Sequence, residues 1–181
     1  MDLTSIIQEC APFVAARTAR ALVQVESGFD PLAIHVNGGA LERQPRSLAE
    51  AVLTAKSLAS RGWDFDIGLA QINVRNARHF GVPIEQVFDP CTNLRLMQRI
   101  LQECFAQARS SSSDSRAALL GTLSCYNTGD SRRGLRSGYV SRVVTAARKL
   151  EARPEGAVQI QQAQNPRSRG GERQICKEGG K

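Results

Sequence analysis

Apolar side chains return every three or four positions in stretch after stretch of this chain, and that spacing commits it to helices. Leu3, Ile6, Ile7 and Cys10 form one stripe, and Val14, Thr18, Ala21, Leu22 and Val25 take up the period after Pro12. Leu48, Val52, Ala55 and Ala59 form another, followed by Leu94, Met97, Leu101, Cys104 and Phe105. Leu119, Leu120, Leu123 and Tyr126 come next, then Tyr139, Val140, Val143, Val144, Ala147 and Leu150. Residues with a period near 3.6 gather on one side of an α-helix but scatter over both faces of a strand, so only a helix buries them together. The punctuation agrees. Ser27-Gly28 stops one helix because glycine tolerates the left-handed backbone of helix ends. Ser47 and Glu50 have the spacing of a capping box, Gly62 closes the helix they open, and Asp89-Pro90 starts another with proline in its first turn. A short helical piece around Val74–Phe80 is closed by Gly81 and Pro83.

One segment departs from this pattern. In PLAIHVNGGALERQP two short apolar runs flank Asn37-Gly38-Gly39, which reads as a small β-hairpin or ordered loop, with strand content confined to it. The expected fold class is therefore mainly α with that one hairpin. A chain of 181 residues suits one domain of ordinary size. After Leu150, Gln, Gly, Pro and charge replace large apolar groups, too few of which remain to offset the entropy of ordering. The domain is expected over 1–152, and 153–181 reads as a flexible polar tail.

Charge narrows the partners. With 24 basic and 17 acidic side chains the formal charge is +7, which draws the molecule to polyanions: nucleic acid, anionic lipid or anionic cell-wall polymers. Aromatics make up 5%, and no basic run interleaves with them to stack bases, so nucleic acid is not expected as a partner. No stretch reaches the ~18 apolar residues of a membrane helix, so stable membrane insertion is not expected. MDLTSIIQECAPFVA lacks a basic region ahead of an apolar core, and no export signal is visible in it. Cys10, Cys91, Cys104 and Cys125 are compatible with two disulfides in an oxidising compartment or with four buried thiols; spacing selects no pairing, and Cys176 is left over in the tail. His35 and His79 stand alone without metal-ligand spacing, so no metal and no cofactor is expected.

The remaining signal is an acid. ALVQVESGFDP, residues 21–31, sets Glu26 at the end of an apolar helix where the period calls for leucine or alanine; alone, it would pass for a solvated last turn. Two further strings follow it, DIGLAQIN at 66–73 and SCYNTGD at 124–130. Glu-Ser, Gly-Leu-x-Gln-Ile-Asn and Tyr-Asn-x-Gly, in that order, resemble the lytic transglycosylases of the lysozyme superfamily, over roughly residues 6–150. VNGG, the RQP stretch and DFDIGL are similar to the subgroup that serves type IV secretion and conjugation machines. The resemblance implies a lysozyme-like domain of the soluble lytic transglycosylase type, peptidoglycan glycan strands as substrate, and components of a type IV secretion apparatus as partners. It also implies a periplasmic location, which favours the disulfide reading of the cysteines.

Carried onto this chain, the resemblance implies Glu26 and Asp66 as catalytic positions and Ser27, Gly68, Leu69, Gln71, Asn73, Tyr126 and Asn127 as substrate-binding ones. Ala70 departs from the family, where methionine is common and lines the glycan groove. Cleaving a glycosidic bond requires a proton for the departing oxygen, and a carboxyl group emerging from an apolar helix can hold one near neutral pH. The implied reaction then returns a proton to the same carboxylate from the C6 hydroxyl of N-acetylmuramic acid, whose oxygen closes onto C1 as a 1,6-anhydro ring.

Each position also has a plainer account. Gln71 and Asn127 could cap helices and Tyr126 could fill core; Trp63 and Phe65 could stack on sugars or pack inside; Arg132, Arg133 and Arg136 could meet acidic peptide stems or line a solvated loop. DIGLAQIN also resembles the DYGILQIN segment of animal lysozymes, whose leading aspartate is the second catalytic carboxylate. Two alternatives therefore stand beside the transglycosylase: a lysozyme-type hydrolase using Glu26 and Asp66, and a non-catalytic peptidoglycan-binding adaptor. Asp66 is expected to be auxiliary.

Overall fold

Pro90–Ser111 forms the longest helix among the described residues, 22 residues. The structure, a computed structural model, describes residues 2–151 and 177–178. In chain order the helices are α1 (Leu3–Cys10), α2 (Ala16–Ser27), α3 (Leu48–Ser60), α4 (Val74–His79), α5 (Ile84–Val87), α6 (Pro90–Ser111), α7 (Ser115–Thr128), α8 (Arg133–Arg136) and α9 (Tyr139–Glu151). The strands are β1 (Ile34–Val36), β2 (Gly39–Ala40), β3 (Phe65–Ile67), β4 (Ile72–Asn73) and β5 (Lys177–Glu178). The domain is mainly α, as the apolar spacing requires.

Local chemistry explains where the helices begin and end. Asp89 caps α6 by accepting from the Thr92 N–H at 2.8 Å, ahead of Pro90 in the first turn. Ser47 caps α3 through the Glu50 N–H, while the Glu50 carboxylate reaches back one residue past the cap to the Arg46 N–H at 2.8 Å. Gly28 ends α2 in the left-handed conformation, φ +62°.

Three sequence expectations need correction. Strands are not confined to the Asn37–Gly39 region, and β1 and β2 do not pair with each other. β1 pairs antiparallel with β3, setting Ile34 opposite Ile67 and His35 opposite Asp66, and β3 pairs with β4. The reason is a period-two alternation in DFDI: Phe65 and Ile67 are buried against the equally buried Ile34 and Val36, and the acids between them point to the other face. Second, β2 pairs with β5, so Lys177–Glu178 are strand; an exposed edge takes a partner through backbone hydrogen bonds and needs no apolar side chains for it. The rest of the expected tail lies outside the described residues.

Third, two helices are turned somewhat from the face their apolar spacing suggests, although Val52, Ala55, Ala59, Leu120, Leu123 and Tyr126 still pack on the core. On α3 the buried residues are Ala51, Ala55 and Leu58, and Leu48 faces solvent. On α7 they are Ala118, Gly121, Thr122, Ser124 and Cys125, while Leu119 is exposed. Small residues let α7 lie close against its neighbours. A Cβ on Gly121 would stand 3.5 Å from Ala108 Cβ, and one on Gly134 would meet Ser124 Cα at 2.8 Å. Close approach there outweighs full burial of Leu119.

The cysteines form two bridges, Cys10–Cys91 between α1 and the start of α6 and Cys104–Cys125 between α6 and α7. They close loops of very different length, with sequence separations of 81 and 21. Loop-closure entropy makes the longer one worth about 4 kcal/mol and the shorter about 3 kcal/mol. Urea unfolding of the paired alanine variants is therefore expected to show a larger loss for Cys10/Cys91 than for Cys104/Cys125. The reverse order would mean that native contacts, and not the unfolded chain, set the effect.

Candidate active site

The turn that joins β3 to β4 is held by one buried side chain, Asn93 of α6. Its Nδ2 donates to the carbonyls of Ile67 at 3.0 Å and Val87 at 2.8 Å, and its Oδ1 accepts from the Ala70 N–H at 2.8 Å. A buried amide left unpaired costs about 1–3 kcal/mol, so the turn is fixed in the one geometry that pairs it. Gly68 follows from this. Its φ is +79°, and a Cβ there would stand 2.3 Å from Asn93 Nδ2. Two helix ends then dock on the same backbone: Ser27 Oγ of α2 donates to the Leu69 carbonyl at 2.7 Å, and the Tyr126 hydroxyl of α7 donates to the Ala70 carbonyl at 2.6 Å. Gln71 completes the turn with φ +49°, uncommon for a residue with a Cβ, its side-chain amide donating to the carbonyls of Gly68 and Ala33.

Beside this turn opens a polar cleft of about 870 Å³, with Glu26, His35, Asp66, Tyr126 and Arg142 among the residues around it. Glu26 is held by Tyr139, the first residue of α9, whose hydroxyl donates to Glu26 Oε1 at 2.5 Å. Burial disfavours the ionised carboxylate and pushes its pKa up to about 7; the Tyr139 hydrogen bond and the positive charge of Arg142 oppose this, while the charge of Asp66 adds to it. Glu26 is thus a carboxyl group that carries or gives up its proton near neutrality. Both tyrosines stay protonated, because burial and the nearby Glu26 raise their pKa values.

The opposite wall is built on the sheet. Asp66 and Asp64 are bridged by two amides: Asn73 Nδ2 donates to Asp66 Oδ1 at 2.8 Å and Asp64 Oδ1 at 3.0 Å, and Asn37 Nδ2 to Asp66 Oδ2 at 3.2 Å and Asp64 Oδ2 at 3.3 Å. Burial raises the Asp66 pKa, and the two amides that donate to it pull the other way. Arg75 Nε lies 3.3 Å from Asp64 Oδ1. No set of three His, Cys, Asp or Glu side chains could hold a metal ion among the described residues.

A protonatable glutamate in a sugar-sized polar cleft has the chemistry of a glycosidic general acid, and comparison with known proteins bears on it directly. The Transglycosylase SLT domain matches residues 4–143. The chain belongs to the SLT transglycosylase family. Its mainly α, lysozyme-like architecture is that of the family. The Type IV secretion system protein virB1 of Brucella abortus is 44% identical over 148 residues, which cover 78% of this chain and 62% of that protein. Protein virB1 of Agrobacterium fabrum is 38% identical over 151 residues, 82% of this chain and 60% of that protein. The chain therefore spans less than two thirds of the length of these curated relatives. No solved structure gives a significant match.

Within this SLT domain the residues expected from the motifs divide into two groups. Glu26, Asp66, Gln71, Asn73, Tyr126 and Asn127 all line the cleft. Ser27, Gly68 and Leu69 do not. Ser27 serves the turn and not the acid, Gly68 makes room for Asn93 and not for a sugar, and Leu69 is core. Ala70 is wholly buried, so its side chain does not line the cleft, though its carbonyl anchors Tyr126. Phe65 is core, Trp63 packs against the core, and of the three neighbouring arginines only Arg133 reaches the cleft.

Sequence reasoning missed Tyr139, Asn93, Asn37, Asp64 and the placement of His35. Tyr139 carried a weak signal, a lone hydroxyl-bearing aromatic after Gly138 in a stripe of valine and alanine. Because its hydrogen bond lowers the Glu26 pKa, Tyr139→Phe is expected to move the Glu26 titration upward from about 7, read as the carboxyl ¹³C chemical shift against pH. An unchanged midpoint would show that Tyr139 only fills space.

Proposed function

We propose that the chain is a peptidoglycan lytic transglycosylase that cleaves the β-1,4 bond between N-acetylmuramic acid and N-acetylglucosamine and leaves a 1,6-anhydro end. Glu26 gives its proton to the departing oxygen and, once ionised, takes one from the C6 hydroxyl that closes onto C1. The observation that carries this reading is Glu26 itself: a carboxyl group with a pKa raised to about 7, seated between Tyr139 and a cleft large enough for sugars. The first role needs the group protonated and the second needs it ionised, and a pKa near the working pH serves both. The virB1 names of the relatives support a place in a type IV secretion apparatus, where local opening of the murein lets the machine cross the periplasm. The two disulfides support the same compartment.

A hydrolytic reading has one observation in its favour. Asp66 shares the cleft with Glu26 and is held in place by two amides, as a second carboxylate of a retaining glycosidase would need. Asn73 and Asn37 already occupy both of its oxygens, and its charge raises the Glu26 pKa; we assign it the orientation of substrate and the tuning of Glu26. The adaptor reading leaves a buried carboxyl group without a purpose.

Glu26→Gln is expected to lower cleavage of purified peptidoglycan by ~10²–10⁴ with circular dichroism unchanged. In the unmutated protein, kcat/KM is expected to fall as pH rises through about 7, where the acid loses its proton. Stability follows the same group. Its folded pKa lies above the ordinary glutamate value of 4.5, so bound protons stabilise the fold fully below that value, and this contribution is lost as pH rises through about 7. Glu26→Gln should therefore gain stability over the unmutated protein at pH 8, relative to their difference at pH 4. Near-full activity of the variant would overturn the assignment.

Asp66→Asn separates the two mechanisms. Reduced activity with products that are still 1,6-anhydro muropeptides by mass spectrometry is the expected result. Reducing-end sugars from the unmutated protein, together with an Asp66→Asn variant as inactive as Glu26→Gln, would make the enzyme a two-carboxylate hydrolase.

A further inference from the structure

A second cavity, of about 590 Å³, shares no residue with the cleft and is of opposite character. It is lined mainly by apolar side chains from the segment before α2 and from α6, α7 and α9, among them Phe13, Leu101, Phe105, Leu119, Val143 and Ala147. Three of these large groups face solvent: Phe13 is 78% exposed, Leu119 57% and Phe105 39%. Scattered exposed leucines are ordinary, but two phenylalanines and a leucine converging on one concavity are not. The groove exists because α7 packs through its small residues, which leaves Leu119 exposed and Leu120 and Leu123 only partly buried along it.

The charge around it chooses the occupant. Arg116 and Arg148 border the groove, and no aspartate or glutamate lines it among the described residues. The C-terminal segment follows α9, which lines the groove, but it is a poor match: Arg153, Arg167, Arg169, Arg173, Lys177 and Lys181 outnumber Glu155, Glu172 and Glu178. A second copy of this chain, at +7, is equally ill matched. A concave apolar trough bounded by helices accepts an amphipathic helix, whose apolar residues at i, i+3, i+4 and i+7 fill it while its flanks meet the rim. We propose that this groove docks an acidic amphipathic helix of a partner protein, with Arg116 and Arg148 reading carboxylates on its flanks. A partner held there leaves the cleft open, and the domain would be tethered without being inhibited.

The test uses the full chain and a synthetic helical peptide of about 18 residues, roughly 27 Å long, with leucine at the four anchor spacings and glutamate on its flanks. One control carries lysine in place of glutamate, and a second keeps the glutamates but scrambles the leucines. Fluorescence anisotropy is expected to give the acidic peptide an affinity at least about tenfold above both controls, lost by about tenfold again in Phe105→Ser/Leu119→Ser, with murein cleavage unchanged. Amide shifts should map to residues 13–18 and to the facing turns of α6, α7 and α9. Equal binding of acidic and lysine peptides, or shifts confined to the cleft, would overturn the proposal. So would two other outcomes: groove resonances that move on Val158→Ser/Ile160→Ser, which would make the chain's own C-terminal segment the occupant, or groove-dependent binding to phosphatidylglycerol vesicles with none to the peptide, which would make it a membrane contact.

Discussion

Everything in the cleft hangs on the three hydrogen bonds of one buried amide. Asn93 stands near the start of α6 and ties the β3–β4 turn to that helix and to the end of α5, using both amide hydrogens and the carbonyl oxygen. The turn in turn presents two consecutive carbonyls, those of Leu69 and Ala70, to hydroxyls at the ends of α2 and α7. The turn is therefore a junction: α2 brings Glu26, α7 brings Tyr126 and Asn127, and the sheet brings Asp66, all through polar contacts that no apolar packing could make directional. A glycine at 68 is the steric condition for that junction.

Around it, the two sides of the cleft use opposite means. On the helical side Glu26 has little hydration and a single strong donor, Tyr139, so its proton is held loosely near neutrality. On the sheet side Asp66 sits next to another acid, and the repulsion between them is contained by two asparagines that each donate to both carboxylates. Two carboxyl groups in one cavity with different partners are free to play different parts, the condition for acid and auxiliary to be distinct. The disulfides stand outside this arrangement and secure α6 at either end, to α1 and to α7. The same tight packing of α7 that brings Tyr126 to the turn leaves Leu119 exposed beside the partly buried Leu120 and Leu123, so the cleft and the apolar groove are consequences of one helix placement.

Legibility followed the range of the interaction. Helices, their caps and their stops were readable because each depends on residues within about four positions: Ser47 with Glu50, Asp89 with Thr92, Gly28 with Gln24. Glu26 was readable as a local contradiction, an acid in an apolar stripe, and the order of the three motifs turned that oddity into a site. What the sequence by itself determined was therefore the mainly α class, the acid and the motif positions that surround it. Only the tertiary structure decided which of them face the cleft. Gly68, Leu69 and Ser27 belong to motifs yet serve the junction, whereas Tyr139 belongs to none and holds the acid from 113 positions away. It decided also that Ile34–Val36 pair with Phe65–Ile67 and not with their neighbours, that Cys10 meets Cys91, and that α7 turns its small residues inward. Each of these joins residues far apart in sequence, and a chain carries no local mark of which distant carbonyl, carboxylate or thiol its own groups will meet once packing has fixed where they stand.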